Sequence, residues 1–329
     1  MYRVQVTKTI IVVGIVWLAD VVAGNSADLT RKTIDDASFS EWSEKKTSGD
    51  PNPFLIRVQV LLDRASVSPG VIDGFMGDNL TKAIRTFEER TGLEPDGKID
   101  ARFWAALSKD SAPVLQSYTI TKKDLSERYV EQIPKDYAEM AKMKWLGYTG
   151  PKEMLAERFH MDQSLLERLN PEANFNAAGT EILVASPGEE ATEKVSRIIV
   201  DRSDGELFAF AGDRLVASYP ATIGSKSNPS PSGKHKVKAI VLDPSYTYDP
   251  EKNFQQGDNS KPLEIPPGPN GPVGSVWIDL TEPTYGIHGT PEPDLVDKTV
   301  SHGCVRLTNG DAKELSRLVA KGTPVEFRE

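Results

Sequence analysis

The chain is predicted to be multidomain. It has a small three-helix bundle near the N-terminus, an α+β module in the middle, and a mainly-β C-terminal unit, a sandwich or an open barrel. Three observations predict this. Apolar residues recur at helical spacing through Leu55, Val58, Leu61 and Leu62, and again through Leu80, Ala83, Ile84 and Phe87. Beyond Lys194 the pattern changes to short β-type runs separated by Gly, Pro, Asn and Asp, with a single obvious helix late in the unit. The 329 residues, 38% of them apolar, suffice for two or three separate cores.

The first residues read as an export signal. Arg3 and Lys8 precede an unbroken apolar run, Ile10 to Ala19, and small residues at Val22-Ala23-Gly24 and Asn25-Ser26-Ala27 offer cleavage after 24 or after 27. The run is short for a membrane span, and Asp20 ends it. Residues 1–24 are therefore expected to direct the protein to the periplasm or cell envelope. Residues 25–53 are polar, lack sustained periodicity, and are expected to be a mobile linker.

Residues 54–110 carry the bundle. Pro69-Gly70 and Asp73-Gly74 mark turns, Asp78 or Asn79 caps the second helix, and Thr91-Gly92 stops it. Asp100 caps a third helix with Phe103, Trp104 and Leu107. The strings Val58-Gln59-Val60-Leu61-Leu62, Gly70 through Gly77, Ala83 through Phe87 and Phe103 through Leu107 resemble the three-helix peptidoglycan-binding domain. Most of these are core and turn positions; Asp73 is expected first as a turn residue and only second as a glycan or peptide contact.

Residues 117–186 open on Tyr118-Thr119-Ile120. They end on Leu155 to Phe159, Leu165 to Pro171 and Gly179 to Val184, and this order resembles a LysM glycan-binding module. It departs from that pattern in about 25 additional residues, Glu127 to Pro151, which include Trp145 and Tyr148. The module is expected either to bind glycan or to act as a spacer.

Residues 195–329 form the mainly-β unit. Ser203-Asp204-Gly205 joins two strands, 197–201 and 206–210. A Pro/Gly/Asn-rich stretch runs from Asp243 to Gly274. Val276 to Leu280 and Gly286 to His288 read as strands. Asn309 or Asp311 caps the late helix, and Thr323 to Phe327 is the last strand.

Charge and composition exclude some functions. A net charge of −9 argues against a nucleic-acid partner. The four histidines stand at 160, 235, 288 and 302 with no metal-ligand spacing, so neither metal nor cofactor is expected. The single cysteine, Cys304, has no intramolecular partner in an exported chain. It is either an inert buried thiol or one kept for chemistry.

Its neighbours favour chemistry. Tyr285-Gly286-Ile287-His288-Gly289-Thr290 precedes Ser301-His302-Gly303-Cys304-Val305-Arg306-Leu307. A thiol needs a base or a cation to act as a nucleophile near neutral pH, and a histidine on a neighbouring strand suits that need. Gly303 removes bulk beside the thiol, so that backbone N–H groups could face an oxyanion. Arg306, two residues on, would share the face of Cys304 in an extended segment and could hold a substrate carboxylate. His302 is left between a structural and a chemical role. Ser301 is expected to support by hydrogen bonds and, with Tyr285 and Gly289, to line the substrate pocket.

His288, then Ser301-His302-Gly303-Cys304 and Arg306, resembles the signature of the L,D-transpeptidase catalytic domain. Pro220 to Gly224, Ser230-Pro231-Ser232-Gly233 and Gly322 to Val325 extend the likeness. The resemblance implies that Cys304 attacks the bond between the diamino acid and D-Ala of a tetrapeptide stem, with His288 as base. His302 would shape the site, and backbone N–H groups at Gly303 and Cys304 would hold the oxyanion. The acyl group would pass to a stem side-chain amine, giving a 3-3 cross-link. Peptidoglycan stem peptides and glycan are the implied partners, carbapenem β-lactams the implied covalent inhibitors, and a monomer the expected state. Two other outcomes stay open. The same nucleophile could serve lipoprotein attachment, D-amino acid exchange or hydrolysis. The chain could also be a silent wall-binding scaffold.

Overall fold

The computed structural model describes residues 29–42, 49–225, 228–252 and 254–329. The expected export signal, 1–24, lies outside them. No helix among the described residues is long and apolar enough to cross a membrane.

Part of the expected linker is built into the fold. Thr30 closes a capping box on α1 (Arg31–Asp35), and Ile34 is fully buried. Arg31 donates to the Leu115 carbonyl at 2.9 Å, while the Asp35 carboxylate accepts from Val114 N at 2.8 Å. For residues 29–42 the expectation of a mobile linker is therefore corrected. One buried isoleucine and a pair of reciprocal polar contacts anchor a segment whose composition looks like coil.

The bundle consists of α2 (Pro53–Arg64), α3 (Asp78–Thr91) and α4 (Ala101–Leu107). Asn52 caps α2, and Asp100 caps α4 as expected. The cap of α3 is Gly77, with Asp78 as the first helical residue facing the positive end of the helix. Next come β1 (Leu115–Thr119), α5 (Lys122–Leu125), α6 (Tyr137–Met140), α7 (Pro151–Arg158), α8 (Gln163–Leu169) and β2 (Glu181–Ala185). β1 and β2 pair antiparallel, Leu115 opposite Ala185. Bundle and middle module share one apolar core that runs from Ile34 to Ala185. Backbone bonds stitch them together, with Ile72 N donating to His160 O and Asp162 N to Ile72 O.

The C-terminal unit is a nine-stranded sheet. Its strands are β3 (Arg197–Asp201), β4 (Glu206–Ala211), β5 (Arg214–Pro220), β6 (Thr222–Ile223), β7 (Gly233–Leu242), β10 (Val276–Leu280), β11 (Gly286–His288), β12 (Val305–Arg306) and β13 (Pro324–Arg328). A separate two-stranded flap, β8 (Tyr246–Tyr248) and β9 (Leu263–Ile265), lies within the Pro/Gly/Asn-rich stretch. The sheet order is β5-β4-β3-β13-β7-β10-β11-β12-β6. Its two edge strands, β5 and β6, are separated in the chain by Ala221 alone. The sheet must therefore curl until its ends nearly meet, which makes it a nearly closed barrel and not a sandwich. Inside are Val200, Leu207, Ile278, Ile287, Val305 and Phe327, with Leu315 and Leu318 of α9 (Asn309–Leu318) against them. The α9 cap is Thr308, not Asn309 or Asp311. Asn309 is buried, and its side chain accepts from Ser275 N and donates to the Glu157 carboxylate and the Pro269 carbonyl.

Candidate functional site

Two short parallel strands build the site. β11 and β12 pair with Ile287 opposite Val305 and His288 opposite Arg306. Ile287 and Val305 are buried in the barrel, so side-chain alternation sends Cys304, Arg306 and His288 to the other face. All three line one cavity of about 440 Å³, together with Tyr285, Ser301, His302 and Trp277.

His288 is 4% exposed. Its Nδ1 lies 2.6 Å from the Gly289 carbonyl, which only accepts, so Nδ1 carries the proton and Nε2 the lone pair. Trp277, directly opposite on β10, stacks on the imidazole with centroids 5.5 Å apart. Burial first, and then the Arg306 charge, bring the His288 pKa down to about 4, against the opposing bond to Gly289.

Cys304 is partly exposed and is a free thiol. Burial of the sulfur pushes its pKa up to about 11, while a hydrogen bond from Gly286 N–H and the nearby Arg306 charge pull it down. At neutral pH the resting pair is thus a thiol and a neutral imidazole.

The turn before Cys304 is held by Ser301. Its hydroxyl donates to the Cys304 carbonyl at 2.6 Å and accepts from Gly224 N at 2.7 Å and Gly303 N at 3.2 Å. Two expectations change here. The Gly303 N–H points to Ser301 and not to the cavity. The glycine is required because its φ is +110° and a Cβ would come within 2.6 Å of the Tyr285 ring. Ser301, expected among the substrate contacts, has its hydroxyl committed to the backbone.

Gly289 also differs from expectation. It does not line the cavity; its carbonyl orients His288, and a Cβ there would strike the Asn309 side chain at 2.2 Å. Tyr285 does line the cavity, its hydroxyl 3.4 Å from the Pro229 carbonyl. His302 is exposed and stacks face to face on Phe254 at 3.7 Å. Burial and the Arg306 charge lower its pKa. The Nε of Arg306 is buried and has no hydrogen-bond partner.

Several residues of the site and its support carried no expected role. Trp277 occupied an ordinary strand position, and alternation with buried Val276 and Ile278 was the available signal. Ser230, whose hydroxyl donates to the Gly303 carbonyl at 2.6 Å, stood in a quoted motif without a role. Tyr137 comes from the middle module and gave no local signal. Among the described residues no group of three or more His, Cys, Asp or Glu could hold a metal ion.

Comparison with known proteins follows from this geometry. Residues 196–327 match the family model of the L,D-transpeptidase catalytic domain, and residues 52–107 match that of a peptidoglycan binding domain. YkuD of Bacillus licheniformis, named as an L,D-transpeptidase, is 30% identical over 178 residues, covering 53% of this chain and 92% of that protein. YbiS of Escherichia coli K12, named likewise, is 29% identical over 187 residues, covering 55% of this chain and 61% of that one. The solved structure of the Ldtfm–avibactam carbamoyl enzyme is 26% identical with a TM-score of 0.32, covering 44% of this chain and 52% of that chain. The chain thus spans about half of that solved protein, and the superposition adds nothing to the fold assignment. A catalytic-domain match over the whole barrel and a relative covered almost end to end lead to one conclusion: the chain belongs to the L,D-transpeptidase family and carries a peptidoglycan-binding domain ahead of its catalytic barrel.

Proposed function

We propose that the protein is an exported cell-wall enzyme that forms 3-3 cross-links between peptidoglycan stems. The observation that carries this reading is the shared cavity of Cys304, His288 and an Arg306 whose Nε has no partner. Arg306 binds a carboxylate of the tetrapeptide and so orients the amide before D-Ala. The Cys304 sulfur attacks that carbonyl as its proton passes to Nε2 of His288. The resulting imidazolium then protonates the departing D-Ala nitrogen. A thioester remains on Cys304, and the neutral imidazole is restored. The side-chain amine of a second stem attacks the thioester and loses its proton to His288, and the thiol returns.

The resting protonation states support base assistance during attack over a stored thiolate–imidazolium pair. With Gly303 N–H turned toward Ser301, oxyanion stabilisation falls to Cys304 N–H and the cavity's other donors. Exposed His302, stacked on Phe254, is assigned to pocket shape. Carbapenems would acylate the same sulfur. The paired strands β1 and β2 around α7 and α8 support a LysM-like reading of residues 117–186.

The test is incubation of the mature protein with disaccharide-tetrapeptide, with products identified by mass spectrometry. A cross-linked dimer supports the proposal. A tripeptide alone means that water is the acceptor. No change with either product supports the scaffold alternative. Cys304→Ala is expected to abolish turnover while wall binding remains.

A further inference from the structure

The additional residues Glu127 to Pro151 do not extend into solvent. They cross to the barrel and pack beneath the β8–β9 flap. Leu146 is fully buried there with Tyr248 and Ile265, forming a small core separate from the other two. The backbone joins as well. Leu146 N donates to Pro267 O at 2.9 Å, Asn270 N donates to Leu146 O at 2.9 Å, and Gln256 Nε2 donates to Lys135 O at 2.9 Å. Gly268 approaches so closely that a Cβ would lie 2.2 Å from the Leu146 carbonyl oxygen.

This docking brings α6 to the catalytic cavity. Tyr137, its first residue, meets Tyr248 edge-on at 5.3 Å and Phe254 at 6.1 Å, and Phe254 in turn stacks on His302. Tyr137 is a lining residue of the cavity that also contains Cys304 and Arg306. Its backbone N–H is bound by the Gln256 side chain, but its hydroxyl has no hydrogen-bond partner among the described residues. The Tyr137 hydroxyl, with no acceptor among the described residues, and the Arg306 guanidinium, whose buried Nε has none, therefore belong to residues that line one cavity. Burial pushes the Tyr137 phenol up to about 12, against the pull of the Arg306 charge, so the hydroxyl keeps its proton as a donor.

We propose that Tyr137, supplied by the insertion in the middle module, is a substrate-recognition residue that shares with Arg306 the binding of a peptide's C-terminal carboxylate. This rests on the catalytic reading above for the identity of the peptide, but not for the contact itself. The test measures binding by calorimetry in full-length Cys304→Ala protein, with two probes: disaccharide-tetrapeptide ending in D-Ala carboxylate, and the same molecule as its terminal amide. Tyr137→Phe keeps the ring and removes the donor. A lost bond to a charged group predicts about tenfold weaker binding of the acid or more, with less than twofold change for the amide. Leu146→Ala, which loosens the insertion while leaving Tyr137 intact, should produce the same acid-selective loss.

Equal effects on both probes, or no effect of Tyr137→Phe on the acid, overturn the proposal. Acid-selective binding in a protein whose Cys304-containing form does not turn over would leave Tyr137's role standing and remove the catalytic reading. Turnover that is intact and indifferent to Tyr137→Phe would remove only this inference.

Discussion

Ser301 has one hydroxyl and three backbone partners, and the position of the nucleophile depends on them. Ser301→Ala leaves the Gly224 and Gly303 N–H groups and the Cys304 carbonyl short of a buried partner, costing about 1–3 kcal/mol. Both the melting temperature and kcat should fall, and thermal melting beside steady-state kinetics reads the two together. Gly303→Ala should be harsher for activity, because the new methyl must displace the Tyr285 ring at an unfavourable φ. The protonation states give a third prediction. With a thiol pKa near 11, alkylation of Cys304 by iodoacetamide in the free protein should be slow at pH 7 and climb about tenfold per pH unit toward 11. A stored ion pair would instead react at a rate independent of pH between 5 and 8. His288, with its pKa near 4, holds its lone pair throughout that range, so loss of the base limits acylation only as pH falls toward 4.

At the scale of elements, β11 and β12 are very short, yet their register places base and cation side by side. The identities that carry the chemistry were legible because Cys304, His288 and Arg306 lie in two compact strings. The hydrogen-bonding role of Ser301 was legible in kind, but its partners, and the internal commitments of Gly303 N–H and Gly289, were not. A string gives residue types but not which polar groups the backbone has already occupied. Asn309 shows the same limit: its residue type suits a helix cap, but burial turned its side chain toward two loops and α7 and left the cap to Thr308. The insertion around α6 was hidden for a different reason. Its apolar residues show no sustained helical or strand period, and the fully buried partners of Leu146, Tyr248 and Ile265, lie over a hundred residues away. Gly268→Ala should prevent that docking by steric conflict with the Leu146 backbone. Faster amide hydrogen exchange confined to residues 129–148 and the β8–β9 flap is the expected signature, with the barrel strands unchanged.

At the scale of the whole molecule, the bundle is fixed to the barrel. Thr86 Oγ1 of α3 donates to buried Glu206 at the start of β4, Asn79 donates to the Val296 carbonyl, and Lys82 pairs with Asp297. The expectation of modules with separate cores thus holds for the barrel but not for bundle and middle module, because Ile72 and the Met161 region share backbone bonds. Several groups buried between these layers are shifted upward. Glu206, Glu157 and Asp311 reach about 7, chiefly through burial, and His160 reaches about 9 through the charge and hydrogen bond of Asp63, against its burial. For Glu206 the folded state keeps its proton longer than the unfolded chain does. The stability this contributes is complete below about 4.5 and is lost as pH rises through 7. Glu206→Gln removes that titration. The variant should gain stability relative to wild type at pH 8, by up to about 2–3 kcal/mol, but not at pH 4. Denaturant melts at the two pH values check the sign.

The central claim is a covalent one, so the most direct measurement is of the acyl-enzyme itself. Wild-type protein mixed with disaccharide-tetrapeptide, quenched in acid and weighed intact should show a fraction heavier by the substrate less D-Ala, with the added mass mapping to the peptide that contains Cys304. The same experiment on Cys304→Ala should show the unmodified mass alone. An adduct on another residue, or cross-linked product appearing with the Cys304→Ala protein, would contradict the account.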